Sequence, residues 1–172
     1  EVRFEEVVLV VNCVRSIVER STYGNYEIVC VLDATTDPAV GERLLEIGGE
    51  RVRLVEYDRP FNFSEKVNVG AVHSAGEHLV LLNDDIEVAT PDWLERMVMY
   101  SSLPGIGAVG GRLHFEDGRL QHVGVRFHHG LPGHPCRGFA ADFKGYGNGV
   151  RVAQNCLAVT GACLATRRDL FE

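Results

Sequence analysis

The chain has 172 residues, 45% of them hydrophobic and 24% charged, the make-up of one globular domain large enough to bury a core. Its net charge of −7, with no lysine- or arginine-rich block, argues against nucleic acid as a partner. No apolar run approaches the roughly 18 residues of a membrane span, and no signal-peptide pattern opens the sequence. The five cysteines, Cys13, Cys30, Cys136, Cys156 and Cys163, are odd in number and scattered. They read as reduced core residues of a cytoplasmic protein.

Over residues 6–20, Val7, Val10, Val11, Val14, Ile17 and Val18 recur at the spacing of an amphipathic helix, although the β-branched run from Val7 to Val11 pulls toward a strand. Residues 27–32 are a buried-strand run ending in Asp33, and Thr35-Thr36-Asp37-Pro38 caps a helix over 39–48. Gly48 and Gly49 stop that helix. A short strand over 52–57, a loop, and a helix over 64–75 follow. Residues 78–82 are the apolar run of a buried strand, and Thr90-Pro91-Asp92-Trp93 opens a helix reaching about 101, with Thr90 as cap. Beyond Leu103-Pro104-Gly105 come a glycine-spaced strand over 106–113 and a hairpin turn at Glu116-Asp117-Gly118-Arg119. A strand over 121–127, a glycine- and histidine-rich loop over 128–150 and a last strand over 158–166 complete the chain. This order predicts an α/β fold, a mostly parallel sheet flanked by helices with an antiparallel appendage.

The strand at 78–82 breaks into Asn83, Asp84 and Asp85. Two adjacent carboxylates at a strand's carboxyl end are costly to hold unless a cation or hydrogen bonds neutralise them. Ligands bind at that end of open α/β sheets. An oxygen-only, doubly charged site suits Mg²⁺ or Mn²⁺ together with substrate phosphates. The other reading is a helix-capping aspartate pair, but the capping work is already done at Thr90 to Trp93. Asp33 ends a buried strand in the same manner and is the next candidate.

Strand-Asn-Asp-Asp-x-Glu-Val followed by Pro91-Asp92-Trp93-Leu94 resembles the DXD region of family 2 glycosyltransferases of the GT-A fold, the bacterial rhamnosyltransferase-like members above all. The resemblance implies a Rossmann-like nucleotide-diphospho-sugar transferase, with Asp85 as the metal ligand and Asp84 its neighbour toward the ribose. It makes Asp33 the residue facing the nucleotide base, though Ala34 and Thr35 depart from the Asn/Asp-Gly usual there. Pro60-Phe61-Asn62-Phe63-Ser64 with Asn68-x-Gly70-Ala71 resembles the segment beside the diphosphate, which brings in Asn68. Lys66 stands where that segment is commonly apolar, and reads as a solvated helix face. Gln121-His122-x-Gly124-Val125, Gly133-His134-x-x-Arg137-Gly138 and Ala158-Val159-Thr160-Gly161-Ala162-Cys163 match later blocks. In the family's pattern, a base-contacting first strand precedes the helix at 6–20, and the acceptor-side acid follows Glu172. By that alignment the chain is incomplete at both ends, and its catalytic residue is expected beyond Glu172.

Residues 1–90 are thus expected to bind the nucleotide sugar and residues 91–172 to face the acceptor, within a single domain. Sugar transfer needs a stabilised diphosphate, an oriented donor and a base for the acceptor hydroxyl. His134 reads as a loop residue over the donor with Arg137 facing phosphate, or as a loop histidine satisfied by backbone. His128, His129, His134 and Cys136 match no zinc spacing. His122 and Trp93 read as structural. The expected function is metal-dependent, inverting transfer from a nucleotide-diphosphate sugar to a glycan or lipid-linked acceptor. A non-catalytic nucleotide-sugar or glycan-binding module is the alternative. A phosphate-binding response-type domain leaves the Pro-Asp-Trp and Thr-Gly-Ala-Cys blocks unexplained. A second copy of the chain is a candidate partner through unpaired strand edges, and the inner face of the membrane a candidate location.

Overall fold

The computed structural model describes residues 8–172. The helix read over 6–20 is α1, Leu9–Arg20, with Val8 as its N-cap and no side-chain cap bond. Residues 6 and 7, and the stretch before them where the base-contacting strand is expected, lie outside the described residues. β1 (Ile28–Asp33), α2 (Pro38–Gly48) and β2 (Val52–Tyr57) follow the sequence reading closely. Pro38 opens α2 where its missing N–H costs nothing, and the Asp37 side chain accepts from Ala39 N–H at 2.9 Å. Then come α3 (Phe63–His73), β3 (His78–Leu82) and α4 (Trp93–Ser101).

The chain's last third is broken into short pieces: β4 (Val109–Gly110), β5 (Leu113–His114), β6 (Leu120–His122), β7 (Arg126–His128), β8 (Leu131–Gly133), β9 (Cys163–Arg167) and α5 (Arg168–Phe171). The expected strand over 106–113 is thus two dipeptides. The strand expected over 121–127 is split between β6 and β7 at Gly124, whose φ of 106° no continuous strand permits. The expected last strand starts only at Cys163, since Thr160 to Ala162 form a turn. Part of the loop read over 128–150 is the hairpin β7–β8.

β1 and β2 pair in parallel from Ile28↔Val52 to Asp33↔Tyr57. β3 pairs antiparallel with β9, which lies between β3 and β4. The α/β class stands, and the antiparallel part is larger than an appendage because β9 returns beside β3. β3, from the middle of the sequence, and β9, from near its end, therefore share one ladder.

α1 joins the two sheets. Its Val11 and Val14 pack with Cys30 of β1, Leu44 of α2 and Val52 of β2. Cys13 and Ile17 pack with Val88, Ile28, Leu82 and Trp93. Methionine 97 of α4 meets Leu113, Cys163 and Ala165 in a third cluster over β9. Only Cys13, Cys30 and Cys163 are core residues. Cys136 is half-buried and Cys156 exposed, because the glycine-rich segment carrying them has no core to enter. All five are free thiols.

Candidate functional site

The acidic pair is held in place by α1, which laces down the chain that follows it. Cys13 Sγ donates to the Asn83 carbonyl at 3.7 Å. Ser16 Oγ, itself buried, accepts from Val88 N–H at 3.0 Å, and Arg20 Nη1 donates to the Val88 carbonyl at 2.9 Å. The Thr22 N–H donates to the Pro91 carbonyl at 3.0 Å, and Trp93 Nε1 donates to Ser21 Oγ at 2.9 Å. Trp93 is partly buried and packs against the cluster of Cys13, Ile17 and Val88, a structural role as its sequence context suggests. α4 begins at Trp93 with Asp92, not Thr90, at its N-cap position; Thr90 instead closes a turn by accepting from Trp93 N–H. Asp84 and Asp85 are eight residues or more from that helix and do not cap it.

Both aspartates are exposed, in a turn directly after β3, and among the described residues neither carboxylate has a hydrogen bond or ion pair. Their charge reaches the core. The Cys13 thiol is pushed up to about 12, first by burial, then by Cys30, Asp84, Asp85 and Cys163. Those groups converge where α1, β1, β9 and the end of β3 meet. Among the described residues no third His, Cys, Asp or Glu joins the pair. Two uncompensated carboxylates with open positions around them fit a hard cation that completes its shell with water and phosphate oxygens. They do not fit a closed zinc cage.

Asp33 belongs to a second group. Its Oδ1 accepts from Lys66 Nζ at 2.9 Å, with side-chain exposures of 46% for Asp33 and 18% for Lys66. Lys66 is therefore not on a solvated face: it lies 5.5 Å from the Tyr57 ring centre and 5.7 Å from that of Phe61. Phe61 itself is 75% exposed. Tyr57 Oη donates to Glu65, which Arg59 also contacts; the Tyr57 and Arg59 hydrogen bonds hold the Glu65 carboxyl below its usual range. Asn68, also on α3, is exposed.

The third group is the pair His122 and His134, whose Nδ1 atoms are 2.8 Å apart. His122 is buried and His134 exposed, so His134 is held by a side chain rather than by backbone. Arg137 is exposed, its guanidinium 5.4 Å from the Phe115 ring centre. His128 stacks edge-on against His129 instead of joining His134.

What ties these groups together is the turn at Thr160 to Ala162, whose role the sequence reading did not single out. The Asn83 N–H donates to the Ala162 carbonyl at 3.0 Å, anchoring the residue before the acidic pair. Thr160 N–H donates to His122 Nε2 at 3.4 Å. A Cβ on Gly161 would come within 3.7 Å of Phe63 Cζ, at the start of α3. Its contributions to the two sites are backbone groups, and the Thr160 hydroxyl closes the turn by accepting from Ala162 N–H at 3.3 Å, which leaves only the Thr-Gly-Ala pattern as a signal. The hollow lined by Phe115, Glu116, Asp117 and Arg119 is an open hairpin surface holding none of the candidate residues.

The family model for glycosyl transferase family 2 matches residues 4–172. A protein of Sinorhizobium fredii (strain NBRC 101917 / NGR234), the uncharacterized protein y4gI, is 40% identical over 162 residues. The O-antigen biosynthesis protein RfbC of Myxococcus xanthus is 34% identical over 164 residues. Each match takes in 92% of this chain but only 18% and 13% of the relative, so the chain spans less than a fifth of the length of these proteins. Among solved structures, the mannosyltransferase PcManGT from Pyrobaculum calidifontis, in complex with GDP-Man and Mn2+, superposes with a TM-score of 0.56 at 25% identity. That match covers 64% of this chain and 33% of the other.

Proposed function

Because the chain belongs to glycosyl transferase family 2 and has the GT-A fold, we propose that it serves metal-dependent transfer of a sugar from a nucleotide-diphosphate donor to an acceptor hydroxyl. The observation that carries the reading is the exposed, unpaired Asp84–Asp85 turn at the carboxyl end of β3. Asp85 is the principal ligand for Mn²⁺ or Mg²⁺, and Asp84 lies beside it toward the ribose. When bound, the cation supplies Lewis-acid stabilisation of charge on the departing diphosphate.

The chain's own residues do the rest of the positioning. Asp33 and Lys66 together offer an acceptor and a donor to the edge of a nucleobase, beside the exposed face of Phe61. Asn68, His134 and Arg137 supply hydrogen bonds and positive charge to the donor's sugar and phosphates. Residues 1–90 then form most of the donor side and residues 91–172 the acceptor side, with the loop of His134 and Arg137 reaching across to the donor. Attack by the acceptor oxygen opposite the leaving diphosphate inverts the anomeric centre in one displacement. The neighbour bound to GDP-Man and Mn2+ supports a hexosyl donor and manganese, and the O-antigen name of a relative supports a glycan or lipid-linked acceptor in polysaccharide synthesis.

No base is assigned among these residues: Asp169 and Glu172 are exposed and ion-paired to Arg167 and Arg168. Titrating GDP, UDP and dTDP calorimetrically, with and without Mn²⁺, tests the reading. Metal-dependent binding of one diphosphate supports it, and the absence of binding to any of them under both conditions overturns it. Binding without sugar transfer to any acceptor would instead identify a nucleotide-sugar-binding module.

A further inference from the structure

The imidazole of His122 is 2% exposed and bonded at both nitrogens. Its Nε2 accepts from Gly124 N–H at 3.2 Å and from Thr160 N–H at 3.4 Å. A nitrogen that accepts cannot carry the proton, so the neutral ring must hold it on Nδ1. Burial, and next the neighbouring His134, push His122 down to about 4, which keeps it neutral in ordinary buffers. The Nδ1–H has one partner, Nδ1 of His134 at 2.8 Å. His134 must accept there, and its own proton is consequently on Nε2.

We propose that His122 is a positioning residue that fixes the exposed His134 in its Nε2–H form, so that the 133–138 loop presents a hydrogen-bond donor of fixed direction to the phosphate or sugar oxygens of the donor. The direction is inherited from the backbone: Gly124 and Thr160 set the tautomer of His122, and His122 sets that of His134. Thr160 is two residues from the carbonyl that anchors Asn83, so the same turn orients the acidic pair and the histidine. Gly124 is required by this geometry. Its φ is 106°, and a Cβ there would lie 2.4 Å from Cys156 Sγ. The placement of the loop over the donor rests on the function proposed above; the tautomer does not.

Two substitutions take the two nitrogens apart. His122→Asn keeps an N–H donor near the Nδ1 position and loses the Nε2 acceptor. His122→Gln keeps an acceptor near Nε2 and loses the Nδ1 donor. Long-range ¹⁵N–¹H spectra of the protein at pH 8 read the form of His134 directly. The expected result is the Nε2–H form alone in the parent and in His122→Asn, and a mixture of both forms in His122→Gln. Titrated with the Mn²⁺ complex of whichever of GDP, UDP or dTDP the parent binds, His122→Gln should bind on the order of tenfold more weakly and His122→Asn close to the parent. An Nδ1–H or mixed His134 in the parent overturns the proposal whether or not either variant folds. So does equal weakening in both variants, which a packing role alone would give. A parent with the Nε2–H form that binds no nucleotide strikes the function proposed above and leaves the tautomer relay standing.

Discussion

Asp85 carries the clearest prediction at the scale of single residues. Asp85→Asn keeps the volume and removes the charge, so Mn²⁺-dependent nucleotide binding should be lost. Its unfolding midpoint should match the parent, because the carboxylate has no bond among the described residues to lose. Calorimetry with and without Mn²⁺, alongside urea unfolding, measures both. Lys66→Met tests the second group. Removing the ammonium leaves Asp33 without its ion-pair partner, and diphosphate binding should weaken by a factor on the order of ten or more as one charge-assisted bond is lost.

His122 makes a prediction in pH. Its folded value of about 4 lies below the unfolded histidine value of 6.5, so the unfolded chain binds more protons between the two. Stability is full above about pH 6.5 and falls as the pH drops toward 4, by at most about 3 kcal/mol. Urea midpoints from pH 7.5 to 4.5 should fall in the parent and fall less in His122→Asn. Equal slopes would show that the decline comes from other groups.

At the scale of elements, Arg168 deserves the test. Its guanidinium donates to the carbonyls of Gly76 (2.9 Å), Ala71 (3.0 Å) and Ser74 (3.0 Å) and to Ser74 Oγ (2.8 Å). It thereby caps α3, the helix of Lys66, from the far end of the sequence. A lysine cannot reproduce a planar fork with four bonds, so Arg168→Lys should cost about 2 kcal/mol in denaturant unfolding. The nucleotide affinity of the folded fraction should also drop as α3 shifts.

Elements with a physical period were legible in the sequence. β1 and β3 are apolar runs bounded by polar residues, β2 is a short strand of alternating character with Arg53 and Glu56 exposed, and α2 carries a proline start and a glycine stop. After Gly105 the hairpin turn at 116–119 and most of β9 were legible, and the other short strands were not. Strands of two or three residues are too short for alternation to register, and β4 takes its place from a close approach: a Cβ on Gly110 would come within 2.6 Å of Val159 Cβ. The acidic pair was visible because charge beside an apolar run is unusual. The Lys66 pairing was not, since a lysine on a helix gives no sign of which partner lies 33 residues away.

For the whole molecule, the parallel pair β1–β2 and the antiparallel set β3–β9–β4 are joined through α1, which faces each with a different set of side chains. Leu44 is fully buried against the first face, and Leu44→Ala should cost about 2–5 kcal/mol. Ile17 lies on the second face, with Val88 and Trp93. Ile17→Ala should cost a similar amount and also loosen residues 83–93, seen as faster amide exchange there than in β2. Unchanged exchange in that segment would mean that the hydrogen bonds from α1 hold it without the packing.

The turn at Thr160 to Ala162 has a consequence for how such a protein is dissected by mutation. It acts on the acidic pair and on His122 through a carbonyl and an amide that every amino acid except proline supplies. A scan that replaces side chains with alanine leaves both groups in place; Thr160→Ala removes only the hydroxyl that accepts from Ala162 N–H at 3.3 Å, so its effect should be small. Only chemistry on the main chain reaches it: an ester in place of the Thr160 amide, or Thr160→Pro, deletes the N–H and frees His122 from half of its restraint. Positions that a mutational survey scores as indifferent can thus be the ones on which the metal and the donor both depend.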